Sequence, residues 1–260
     1  MKLKLYQVDA FTNKLFGGNP AAVCPLEKWL DESVMQNIAS ENNLSETAFF
    51  VKEGNRYHIR WFTPKNEVPL CGHATLASSF VIFNFIEKDI NKIFFQSKSG
   101  ELIVERDSDL LALNFPSAQP SVCEMNEVLL DPFNEKPVNA SYAKDTYMLV
   151  FENEKQIREM KPDIKALMDV NAHAVIVTAK GDQVDFVSRF FAPKIGIDED
   201  PVTGFAHTLL TPYWSSQLNK KKMHALQISA RGGELFVEDL GERVKIAGKA
   251  VLYSIGEICL

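Results

Sequence analysis

Strict alternation of apolar and polar positions, or short β-rich apolar runs, recurs along most of the chain. In the first half it marks LKLYQVDAF, TAFFVKE, YHIRWF, KIFFQS, ELIVER and LLALNF. In the second it marks TYMLVF, HAVIVTA, VDFVSRFF, ALQISA, ELFVED and RVKIAGKAVLY. A two-residue period bounded by Gly, Pro, Asn and Asp predicts strands. Helical periodicity and start signals are fewer: DESVMQNIASEN, GHATLASSFVIFNFI, EKQIREMKPDIKALMD, GFAHTLLTPYWSSQL and part of NPAAVCPLEKW. Strands therefore dominate, with one mainly apolar helix in each half. An apolar helix among many strands is most economically buried inside a curled sheet.

The two halves share one plan. Arg60 to Lys65 (RWFTPK) precedes Pro69 to Leu76 (PLCGHATL), and Arg189 to Lys194 (RFFAPK) precedes Pro201 to Leu209 (PVTGFAHTL). Ser97 to Glu105 (SKSGELIVE) is answered by Ala230 to Glu238 (ARGGELFVE). The three offsets are 129, 132 and 133 residues, too constant for coincidence, so the sequence reads as a duplication. The fold expected is α+β: two pseudo-symmetric domains, residues 1–118 and 119–245, each a mostly antiparallel barrel-like sheet wrapped around a central helix. Residues 246–260 form a strand that can return to the first domain. The boundary falls among the prolines of FPSAQPSVCEMNEVLLDPFNEKPVNAS, where periodicity weakens.

Composition narrows the partners. The chain has 260 residues, 46% of them hydrophobic, and a net charge of −6 without a basic stripe, which argues against nucleic acid. Its longest apolar run, ATLASSFVIFNFIE, is interrupted by Ser78, Ser79 and Asn84 and is too short for a bilayer. The N-terminus alternates like a strand rather than a signal peptide, so a cytoplasmic protein without membrane contact is expected. Cys24, Cys71, Cys123 and Cys259 are far apart and read as free thiols. The five histidines show no metal spacing and no Gly-rich nucleotide signature occurs, so neither metal nor cofactor is expected.

Chemistry concentrates at the repeated junction before each apolar helix. A helix N-terminus offers unpaired N–H groups and the positive end of the macrodipole, and glycine lets a ligand approach them. Gly72 and Gly204 could equally serve tight helix packing. Duplication of the whole junction favours a ligand held between the domains.

The stretches VDAFTNKLFGGNPAAV, LSETAFF, RWFTPKNEVPLCGHATLA and DEDPVTGFAH, in this order, resemble the PhzF-like family, named after a phenazine biosynthesis isomerase and similar in fold to diaminopimelate epimerase. The resemblance covers nearly the whole chain. It implies a barrel-like sheet around a central helix in each domain, an active site between them, no cofactor, a small carboxylated metabolite as substrate, and a homodimer. It also implies catalytic roles for Glu46, His73 and Asp200: Glu46 takes a proton from carbon and returns one, His73 contacts substrate, and Asp200 holds an amino or hydroxyl group. Ser45, Gly72, Gly204 and Phe205 would line the ligand.

Taken alone, Glu46 reads as a solvated strand edge, His73 as a helix-start side chain bonded to backbone, and Asp200 as the N-cap of the second helix followed by Pro201. Thiol-dependent enzymes of this fold place a cysteine at each central helix. Cys71 occupies the first such position, where the helix terminus should lower its pKa. Its counterpart is read as Pro201, which lacks a thiol and excludes a two-cysteine racemase. Phenazine-type members commonly carry serine where this chain has Phe205, which removes a hydroxyl donor. The function expected is a cofactor-independent isomerase moving a proton between carbons. The alternatives are a metabolite-binding or protein-interaction role with little catalysis, and a thiol-assisted racemase or epimerase using Cys71.

Overall fold

The alternating runs form strands whose order repeats in two units of a computed structural model describing residues 1–260. The first unit comprises Met1–Phe115 with Ile246–Leu260, the second Pro116–Lys245. In the first, Ala250–Cys259 and Asn19–Leu26 flank Lys2–Ala10, both antiparallel to it. Asn19–Leu26 then runs parallel to Glu46–Glu53, which pairs antiparallel with Arg56–Phe62. Arg56–Phe62 runs parallel to Lys92–Ser97, and the sheet continues antiparallel through Gly100–Asp107 and Leu110–Pro116.

The second unit repeats this order. Asn139–Ala143 is antiparallel to Thr146–Val150, which is parallel to Ala174–Lys180. Phe186–Ala192 pairs antiparallel with that strand and parallel with Lys222–Gln227, which turns back into Gly233–Asp239. Parallel neighbours require a crossover, and each unit has two. One carries Glu32–Asn42 in the first unit and two short helices in the second, and the other carries the central helix. The fold is thus mixed, with a mostly antiparallel sheet and few helices.

The first central helix tolerates burial of its hydroxyl side chains because they bond to its own backbone. Gly72–Val81, continued as a π-helical turn over Ile82–Ile86, packs on Lys2–Ala10, Asn19–Leu26, Glu46–Glu53 and Ala250–Cys259. The Thr75, Ser78 and Ser79 hydroxyls donate to the carbonyls of Cys71, Ala74 and Thr75 at 2.5, 2.7 and 2.8 Å. These i to i−4 bonds remove the penalty of burying three hydroxyls. The second helix, Gly204–Leu218, holds Pro212 in its interior. Proline has no N–H for the Thr208 carbonyl, and Ala118 N–H donates to that oxygen instead at 3.1 Å. No helix is long and apolar enough to cross a membrane.

Two expected helices are corrected. Asn19–Leu26, within the stretch read as partly helical, is a strand. The first central helix packs on this strand, and Cys24 and Leu26 join a core cluster with Met35, Ile38 and Ala39, so a nearly continuous apolar run fits a strand covered on both faces. The run Glu154–Asp169 forms two short helices, Glu154–Glu159 and Ile164–Leu167. Pro162 cannot continue the first, and the Asp163 carboxylate caps the second by accepting from Lys165 N–H at 2.9 Å and Ala166 N–H at 3.1 Å.

The repeated Arg-aromatic-Phe motif gains a physical cause. Arg60 grips Glu67 with Nε at 2.8 Å and Nη2 at 2.7 Å, and its guanidinium lies 5.2 Å from the Phe62 ring. Arg189 grips Glu199 with Nε at 2.7 Å and Nη2 at 2.9 Å, 5.0 Å from the Phe191 ring. Each fork ties a sheet strand to the segment that enters a central helix. Bidentate, partly desolvated pairs of this kind fix geometry as well as contribute energy. Arg60 holds the Glu67 carboxyl below the usual carboxylate range against the opposing effect of burial, and Lys98 adds to this.

His207, on the second helix, is fully buried. Its Nδ1–H donates to the Thr203 carbonyl at 2.9 Å, and Nε2 has no hydrogen-bond partner. Burial pushes its pKa down to about 4. An unfolded histidine binds its proton near pH 6.5, so His207 costs stability as pH falls from about 6.5 toward 4. The expected loss between pH 7 and 5 is about 2 kcal/mol from this group. Urea unfolding at both pH values should show a smaller difference in His207→Gln than in the wild type; equal differences would refute this assignment.

Candidate active site

Glu46 opens its strand and His73 is the second residue of the first central helix, 27 positions later. Parallel pairing of Ala21 with Glu46 sets the start of the strand beside the helix crossover. Glu46 Oε2 and His73 Nε2 are 3.2 Å apart, with side-chain exposures of only 12% and 7%. The angles at this contact do not make a directed hydrogen bond, so both atoms retain hydrogen-bonding capacity in a buried setting. On the other side of the ring, Cys71 Sγ lies 3.6 Å from His73 Nδ1. Ser45 precedes Glu46 and is half-buried, and Gly72 is the first residue of the helix.

Electrostatics distinguishes the three groups. Burial alone would favour neutral His73, but negative charge on Cys71 and Glu46 outweighs it and raises the histidine well above its ordinary value. The Cys71 thiol is pushed up to about 11, chiefly by burial, with the Glu46 charge adding to it. The expected lowering of the Cys71 pKa is therefore corrected: desolvation of a thiolate exceeds the help of the helix terminus.

The second junction carries different chemistry. Asp200 ends the strand Ile197–Asp200, and the N-cap is Thr203, so Asp200 is not the cap. Thr203 donates its hydroxyl to Asp200 Oδ2. Gln227, fully buried, accepts from Thr203 N–H at 2.8 Å and donates to the Asp200 carbonyl at 2.8 Å and to Thr203 Oγ1 at 3.1 Å. The structural counterpart of Cys71 is thus Thr203 rather than Pro201, since both occupy the N-cap before the helix glycine. The absence of a second thiol stands. By the same register Phe205 matches His73 and, on the strands, Ala174 matches Glu46. Gly204 is the first residue of the second helix, and Phe205 beside it is half-buried.

Sequence reasoning missed Glu67, Glu199, Thr203 and Gln227. The glutamates were legible as an extension of the repeat, because each stands five residues before its helix glycine in EVPLCG and EDPVTG. Gln227 carries no local signal, since its partners lie 24 to 27 residues away.

Known proteins place the chain. It is 49% identical over 260 residues to a protein of Pseudomonas aeruginosa named an uncharacterized isomerase, with both chains fully covered. A crystal structure of a phenazine biosynthesis protein of the PhzF family from Enterococcus faecalis superposes with a TM-score of 0.98 at 47% identity, covering all of both chains. A hydroxyproline epimerase from Agrobacterium vitis, at 10% identity and a TM-score of 0.62, covers 99% of this chain with 92% of its own and shares the fold. The protein is accordingly an isomerase. It belongs to the phenazine biosynthesis-like family, whose sequence profile matches residues 8–256.

Proposed function

We propose that the protein is a cofactor-independent isomerase that moves a proton between carbons of a small carboxylated metabolite, with Glu46 as general base and then general acid. The supporting observation is the buried Glu46 and His73 pair, 3.2 Å apart without a directed hydrogen bond, at the start of a buried helix. A carboxylate so placed can accept the carbon-bound proton while its partner's positive charge offsets the charge developing on the substrate. The same Glu46 then delivers a proton to a second carbon, giving a double-bond shift; an epimerisation would need a second donor on the opposite face of the first carbon. The substrate carboxylate would rest on backbone N–H groups at Gly72 and, in the duplicated junction, at Gly204 and Phe205. Asp200 would hold an amino or hydroxyl group, oriented by Thr203 and Gln227. A ligand shared by the two units, and a homodimeric assembly, belong to this reading and rest on the duplication and the resemblance.

Thiol catalysis by Cys71 has less support, because a buried thiol pushed up to about 11 is the opposite of an activated nucleophile. The test is NMR in D2O with a panel of cyclic and acyclic amino and hydroxy acids. Exchange of a carbon-bound proton, catalytic in enzyme, supports the proposal and locates the reacting carbon. Ligands that raise the melting temperature yet exchange nothing would replace it with a binding role, for which Phe205 in place of a hydroxyl side chain is the motivating feature.

A further inference from the structure

The sequence assigns no metal, yet the fold brings a carboxylate, a thiol and an imidazole together. One donor atom from each of Glu46, Cys71 and His73 lies within 4.8 Å of the other two. In a tetrahedral zinc site, metal bonds of about 2.3 Å to sulfur and 2.0–2.1 Å to nitrogen set the two donors about 3.5 Å apart. Cys71 Sγ and His73 Nδ1 are already 3.6 Å apart. His73 is more than nine-tenths buried, and its second nitrogen and Glu46 Oε2 both lack a hydrogen-bond partner.

We infer that Glu46, Cys71 and His73 form a binding site for a thiophilic divalent cation of the zinc class, and that its occupancy silences proton transfer. The cation takes Cys71 Sγ and His73 Nδ1 close to where they stand, and the Glu46 carboxylate joins by rotating its side chain. The thiol proton and the Nδ1 proton of the imidazolium both pass to solvent as the metal–sulfur and metal–nitrogen bonds form, so no electron is transferred and no further reactant is needed. A fourth position stays open to water or a ligand carboxylate. The imidazole and thiol select zinc or cadmium over magnesium and calcium, which prefer oxygen donors. With its carboxylate engaged, Glu46 cannot accept a proton from carbon. The inhibitory role rests on the proposed isomerase chemistry; the binding does not.

Binding is tested without substrate. In chelator-treated full-length protein carrying Cys123→Ser and Cys259→Ser, Cd2+ is titrated while the ultraviolet thiolate-to-cadmium band and calorimetric heat are followed. One ion per chain is expected, with a band that Cys71→Ser abolishes and an affinity that His73→Gln lowers at least tenfold. Zn2+ should displace the cadmium, and millimolar Mg2+ should not. A band that survives Cys71→Ser would place the metal elsewhere, on Cys24 or adventitiously, and no band at all would equally overturn the inference. If Cys71→Ser does not fold by circular dichroism, His73→Gln and Glu46→Gln decide, and unchanged affinity in both refutes it. Failure here leaves the D2O exchange result untouched, so the two readings fail separately.

Discussion

Glu46→Gln is expected to abolish exchange of the substrate's carbon-bound proton, with a rate loss of about 10²–10⁴-fold, while leaving the melting temperature nearly unchanged. General acid–base groups contribute on that scale. The amide is nearly isosteric and cannot accept a proton at neutral pH, and Glu46 makes no directed hydrogen bond through Oε2 that the fold would miss. The substitution also removes the negative charge beside His73, one of the two that raise its pKa. The His73 ring should therefore lose its proton at a lower pH in the variant, which nitrogen NMR of the imidazole can follow. Ligand affinity should change much less than rate, because the backbone donors at the helix glycines remain. A variant that exchanges at the wild-type rate would remove Glu46 from the chemistry.

Gly18→Ala is expected to cost about 3–5 kcal/mol, among the largest effects of a single methyl group. Gly18 has φ of +63°, a conformation costing an L-residue roughly 1–2 kcal/mol. An added Cβ would also stand 2.1 Å from the Ala10 carbonyl oxygen and 2.7 Å from Thr12 Cγ2. The first of these is backbone in a fully buried strand end, so the strain cannot be relieved by a rotamer change. This gives the glycine of FGGNP a structural reason. Thermal unfolding should show a loss of about 10 °C, taking roughly 2–4 °C per kcal/mol for a chain of this size. Gly54→Ala is the natural comparison: its φ is +64° but nothing lies within 4 Å of an added Cβ. A similar loss in both would mean that the backbone conformation alone matters.

Local signals carried much of this architecture. The central helices and the hairpins ending at Gly100 and Gly233 follow from periodicity and turn residues. Strand Asn19–Leu26 was not legible, because a short buried apolar run looks alike in helix and strand until its neighbours are known. The equivalence of Cys71 and Thr203 was misread through Pro201, and the N-cap geometry resolves it. The Arg60 and Arg189 forks escaped because a charged residue before an aromatic one says nothing of its partner; only the folded segment before each helix brings Glu67 and Glu199 into reach. Cys71, His73 and Glu46 were each singled out, but their donor atoms come within 4.8 Å of one another only once strand and helix meet.

The match of Ala174 to Glu46 bears on stereochemistry. Two opposed acid–base groups would add the new proton on the face opposite the one vacated and invert the carbon. In the second unit the residue in register with Glu46 is Ala174, and the residue in register with His73 is Phe205. In the mechanism proposed, Glu46 takes and returns the proton from its own side, so transfer is expected to be suprafacial. Part of the label removed from a deuterated substrate should then reappear in product, carried across on the same carboxyl group before solvent can replace it.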